Sequence, residues 1–122
     1  MRYWAVFFGG VAALVASSAR GQSASSQVTK EFALGQAVAK DIDRTDGRID
    51  DASITDYLQR IANRTALAAG VKPVEVRLTR STLWSANLLP NSVLYLSGGM
   101  LARIENEAEF AGLLAHEMAH GP

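Results

Sequence analysis

The sequence predicts an α+β fold in which two amphipathic helices, a small mostly antiparallel sheet and one further helix share a single domain. Three observations predict it. Apolar residues recur at helical spacing from Val28 to Ile42 and again from Ile54 to Ile61. Apolar runs of strand length, bounded by turn residues, follow from Val74 and from Trp84. The stretch after Asn106 returns to a helical pattern and ends in the pentapeptide HEMAH.

A chain of 122 residues has room for one small domain and not two. Lysine plus arginine number 12, as do aspartate plus glutamate. That balance gives no electrostatic reason to bind DNA, RNA or an acidic membrane surface, so no nucleic-acid partner is expected. Cysteine is absent, which excludes disulfides, thiolate chemistry and a lipidated cysteine. Any metal would be held by imidazole and carboxylate alone.

Residues 1–21 have the layout of a secretory signal peptide: one positive charge at Arg2, an uncharged run from Tyr3 to Ala19, and small residues around Ala19-Arg20-Gly21 for a cut before Gln22. The protein is therefore expected to be exported, periplasmic or secreted. The alternative is a membrane anchor formed by residues 3–19. That run is shorter than the roughly 20 apolar residues a spanning helix needs, and it contains Gly9 and Gly10. Residues 22–27 are small and polar and are expected to form a flexible lead-in to the domain at 28–122.

The first helix is expected over 28–42, with Val28, Phe32, Gly35, Ala39 and Ile42 on one face; Gly35 is an unfavourable residue there. A polar break with a turn at Asp46-Gly47 follows. The second helix has Asp51 or Ser53 as its cap, repeats Ile54, Tyr57, Leu58 and Ile61 at steps of three and four, and closes at Gly70. Val74, Val76 and Leu78 alternate with Glu75, Arg77 and Thr79, as in a half-buried strand. Two more strands are expected around a Pro90-Asn91 turn, the second apolar at Val93, Leu94 and Leu96. A short helix follows at 100–104. Asn106 then caps the last helix, with Glu109 as the reciprocal partner of a capping box and Phe110, Leu113 and Leu114 on the apolar side.

That last helix carries His116, Glu117 and His120. Residues four apart lie on one helix face, so both imidazoles can bind one Zn²⁺. Glu117 points to the side of the pair and can reach a metal-bound water without ligating the metal. Zinc lowers the pKa of such a water, and the carboxylate accepts its proton and later returns it to the leaving amine. This is the mechanical content of H-E-x-x-H on a helix, and it spends both histidines of the protein. The plain alternative is a helix end at which His120 meets the dipole and His116 faces solvent.

The stretch SANLLPNSVLYLSGGMLARIENEAEFAGLLAHEMAH resembles the core of the zinc metallopeptidase family that includes the CAAX prenyl protease, HtpX and periplasmic BepA, of the HExxH gluzincin type. Ser85-Ala86 stands where the family has an Asn-Ala pair, and Pro90-Asn91-Ser92 replaces its glycine turn. Val93 to Ser97 matches the strand, Gly99-Met100-Leu101 the helix start, and Glu107 to Ala111 the lead into His116. The resemblance implies the N-terminal half of a zincin-like fold and a zinc endopeptidase acting on polypeptides, by analogy with the periplasmic members those of the cell envelope. It implies His116 and His120 as ligands and Glu117 as catalytic base. It also implies a third ligand, a glutamate on a later helix, and so a domain whose remainder lies beyond residue 122. Glu109, two turns before His116, is roughly 10 Å away along the helix axis and cannot supply it. The strand at 85–89 could pair with an extended substrate through its edge.

A second expectation belongs to another class: a non-catalytic exported binding module, or an inactive remnant of such a protease. It would use apolar surface left open by the missing part, with Leu113, Leu114 and Met118 partly exposed.

Overall fold

The computed structural model describes residues 16–121, with side chains from Ser23 onward. Residues 1–15 of the expected leader, and with them most of the alternative anchor, lie outside the described residues. Among those described, no helix is long and apolar enough to cross a membrane. The chain divides into two units, Met1–Lys30 and Glu31–Pro122.

Helix α1 spans Ala16–Asp46 and so runs through 22–27, where an irregular lead-in was expected. Serine, alanine and glutamine extend an existing helix at small cost, whatever loop-like composition they present. The Thr29 hydroxyl donates to the Ser25 carbonyl one turn back (2.9 Å). Of the expected apolar face only the later part is covered: Gly35 and Ala39 are buried, whereas Val28 and Phe32 stay exposed. Gly35 is there for close approach, since a Cβ at that position would lie 2.7 Å from the Asn91 backbone nitrogen.

Helix α2, Ala52–Ala69, begins and ends where its signals place it. Asp51 is the cap: its carboxylate accepts from the Ser53 amide (3.0 Å) and the Ser53 hydroxyl (2.6 Å). Those bonds favour the charged form and hold the Asp51 carboxyl below the usual range. Gly70 closes the helix in the left-handed conformation.

Strands β1 (Glu75–Thr79), β2 (Ala86–Leu88) and β3 (Val93–Ser97) form a sheet in the order β1-β3-β2. The sheet is mixed, not mostly antiparallel: β3 pairs parallel with β1 over five residue pairs and antiparallel with β2 over three. The hairpin around Pro90-Asn91 folds β3 back beside β2. The 80–85 connection holds β1 and β2 one strand apart, and β3 enters the gap in the direction of β1. All five residues of β3 are buried. Leu94 and Leu96 pack with α2 and the last helix, α4 (Glu107–His120); Val93 and Tyr95 pack on Ala39.

The outer edge of β1 is closed twice. The segment after α1 bridges Arg48 to Thr79, with the Ile49 amide donating to the Leu78 carbonyl (2.8 Å). Further along, the Gln59 side chain donates to the Val74 carbonyl (2.7 Å) and accepts from the Val76 amide (2.8 Å), replacing the missing strand. Between β3 and α4, the short helix α3 spans Gly98–Leu101 and starts two residues earlier than expected, because the Ser97 hydroxyl caps it by accepting from the Met100 amide (3.0 Å).

Tyr95 ties α1 to the sheet. Its hydroxyl bonds the Asp43 carboxylate (2.7 Å) and the Ala39 carbonyl (3.0 Å), and it accepts from Arg77 (2.9 Å). Burial, then the Asp43 bond, pushes the Tyr95 phenol above its ordinary range. A phenol whose folded-state pKa is raised stabilises the fold fully below about pH 10 and loses that contribution as pH rises through the folded value. Tyr95→Phe is expected to cost about 1–2 kcal/mol at neutral pH and to flatten the alkaline fall in stability, measured by urea unfolding between about pH 8 and 11. Gly35→Ala offers a test of sign. Helix propensity alone would add up to about 1 kcal/mol, but the contact with Asn91 is expected to reverse this and lower the urea midpoint.

Candidate metal centre

Helix α4 is positioned by its own sequence and by one long-range tie. The Asn106 side chain accepts from the Glu109 amide (2.9 Å), capping the helix as expected. The reciprocal bond differs: the Glu109 carboxylate accepts from the Glu105 amide (2.8 Å), one residue earlier than a capping box would place it. Phe110, Leu114 and Met118, each four apart, are buried and fix the rotation of the helix against α2 and β2. Leu113 is half-buried. The open surface expected at Leu114 and Met118 is thus absent, because α2, β1 and β3 already cover that stripe. At the first turn, Glu107 accepts from the Tyr57 hydroxyl (2.9 Å) and pairs with Arg64, locking α2 to α4. The acceptor role of Glu107 raises the Tyr57 pKa. No local pattern reveals this tie, since its partners are 50 and 43 residues apart.

With the apolar stripe turned inward, His116 and His120 fall on the exposed face and Glu117 is half-buried beside them. At 3.6 residues per turn, Glu117 stands about 80° round the helix from the midpoint of the pair. The imidazole centroids are 4.5 Å apart with the rings at 75°. Their Nε2 atoms converge to 3.1 Å. Two nitrogens at about 2.0–2.1 Å from a tetrahedral ion would be about 3.3 Å apart, so the pair fits a shared zinc with a shift of a few tenths of an ångström. Gly121 follows at φ 71 and ends the helix just past His120.

Several carboxylates are engaged elsewhere. Glu75 pairs with Arg77, Asp43 with Arg77 and Tyr95, Glu107 with Arg64, and Glu109 with a backbone amide. Among the described residues no group of three His, Asp or Glu side chains is placed to hold a metal. Among the described residues, His116 and His120 thus stand as a pair of imidazoles without a third such side chain beside them.

A helix that presents HExxH from behind a mixed sheet defines a metallopeptidase of the kind the resemblance indicates. The profile of peptidase family M48 matches residues 52–121, more than half of the sequence, and the chain belongs to that family. M48 peptidases are zinc-dependent. The match opens at the first residue of α2 and closes on the glycine after His120. No curated protein matches the chain.

Calorimetric titration with zinc is expected to show binding that His116→Ala and His120→Ala each weaken by at least the ~10–100-fold that losing a mere supporting contact costs such sites. Equal binding by both variants and the parent would show that the ion sits elsewhere.

Proposed function

We propose that this protein is a zinc-dependent endopeptidase that hydrolyses peptide bonds of envelope polypeptides after export. The observation that carries the reading is the convergence of the His116 and His120 Nε2 atoms to 3.1 Å on the exposed face of α4, in a chain of family M48. His116 and His120 would hold the zinc, with a third ligand from beyond the described residues or from a second chain. When bound, zinc polarises the scissile carbonyl and lowers the pKa of water. Glu117 takes the proton from the attacking water and returns it to the leaving amine, which is general base and then general acid work. Strand β2 supports the substrate role. Among the described residues it pairs with β3 alone, and its outer edge can accept an extended peptide by main-chain hydrogen bonds. The signal-like pattern of residues 1–21 supports export.

Glu117→Gln separates chemistry from folding and from metal. The variant is expected to bind zinc as the parent does and to lose about 10²–10⁴-fold in cleavage rate of an unfolded protein substrate supplied with zinc. A parent chain that binds zinc and unfolded polypeptide but cleaves nothing would favour the non-catalytic binding module.

A further inference from the structure

Just before β2, two adjacent large apolar side chains face water: Leu83 is 74% exposed and Trp84 61%. Their backbone is nonetheless firmly held. The Ser97 hydroxyl donates to the Leu83 carbonyl (2.5 Å) and accepts from the Ser85 amide (3.1 Å). The Gly99 amide donates to the Ser81 carbonyl (3.0 Å), and α3 packs so closely there that a Cβ at Gly99 would strike the Thr82 carbonyl. The Trp84 side chain has a clamp of its own. The Arg103 guanidinium lies over its ring, 3.0 Å from the centroid, and Arg103 makes no salt bridge among the described residues. An aromatic side chain kept in water on an ordered backbone adds little to the core, and its ordering lowers the cost of binding something against it.

The platform is continuous with the open edge of β2. Ser85 carries the ladder back one residue beyond the strand, accepting from the Ser97 amide (3.0 Å). By alternation Trp84 then falls on the same face as Ala86 and Leu88, which pack against the core beneath α4. Helix α2 packs on β1 and α4 on β2. Ala111 faces α2, and Glu117 stands about 120° round the helix from it, on the flank turned towards the free edge of β2. Met118 and Leu88 line one small cavity, which sets the histidine end of α4 level with the last residue of the strand. Trp84 is four residues back from Leu88, about 13 Å along an extended chain.

We propose that Trp84, held by Arg103, is a specificity-determining residue that receives an aromatic side chain of an extended polypeptide laid along the edge of β2. This deepens the protease reading given above and rests on its use of β2 as the substrate's partner strand. The side chain selected is three or four residues from the bond that faces Glu117. In strand addition the main chain supplies affinity, and contacts to alternate side chains supply the choice among sequences. An indole unaided would attract a cation as well as a ring. Arg103 already occupies that role and repels a second positive charge, so aromatic residues are favoured over lysine.

Tryptophan occurs at positions 4 and 84 alone, so in a Trp4→Phe background the fluorescence of the full chain reports Trp84. The probes are three amide-capped peptides rich in threonine and serine, alike except for phenylalanine, lysine or serine at one central position, titrated without zinc. The phenylalanine peptide is expected to change the fluorescence saturably and to bind about tenfold tighter than the serine peptide, with the lysine peptide no better than serine. By calorimetry, Trp84→Ala is expected to bring the phenylalanine peptide down to the affinity of the serine peptide at unchanged Tm. Trp84→Phe should keep most of the preference, and Arg103→Ala should improve binding of the lysine peptide. The proposal is overturned if no peptide binds, if phenylalanine and serine peptides bind the parent equally, if lysine matches phenylalanine, or if Trp84→Ala keeps the preference. Zinc is then added. A preference without cleavage would sink the protease reading and leave this inference standing, whereas cleavage without the preference would do the reverse.

Discussion

Strand β3 buries every one of its residues, and covering it on both faces is the requirement that the other elements satisfy. A strand with two apolar faces is stable only between layers, since each buried leucine contributes roughly 1.5–3 kcal/mol when removed from water. One layer is α2 with α4, the other the later part of α1. Because Leu94 and Leu96 meet Phe110, Leu114 and Met118, the rotation of α4 is fixed by the core. The exposure of His116 and His120 is the other side of that arrangement: the side chains able to hold metal are those the core does not take.

The histidine pair shows what one helix can and cannot supply. Spacing of four places two imidazole nitrogens close to the separation a tetrahedral ion requires, with no help from the rest of the fold. A third ligand on the same helix would be a turn or more away along the axis, which is why Glu109 serves the helix start instead. Glu117 differs from both histidines in being half-buried. It stands to the side of the pair of imidazoles and not in line with them.

The corner between α1 and the 90–92 turn is organised differently. Gly35 lets the helix come close to Asn91, and the Tyr95, Asp43 and Arg77 group holds the helix further along. Between these two points of attachment the packing opens into a polar cavity. The turn beside it holds an unpaired Asn91 amide oxygen and Ser92 at φ 61.

Sequence by itself determined the elements whose causes are local. Asp51 and Gly70 bound α2, Asn106 starts α4, and the alternation of Val74, Val76 and Leu78 gives β1 its buried face. The HExxH spacing likewise decided that two imidazoles meet, because four residues make one turn in any helix. Only the tertiary structure decided the rest. The direction of β3 relative to β1 depends on which gap the hairpin enters, and no residue of β1 or β3 encodes it. Gly35 reads as a flaw in a helix until the Asn91 backbone is beside it, and Gln59 reads as a surface residue until it completes the edge of β1. The polar stretch 22–27 reads as a loop by composition and is helix, since a helix already formed extends through residues that would not start one. Contacts between residues distant in sequence decide each of these, and a single chain carries no periodicity from which to read them.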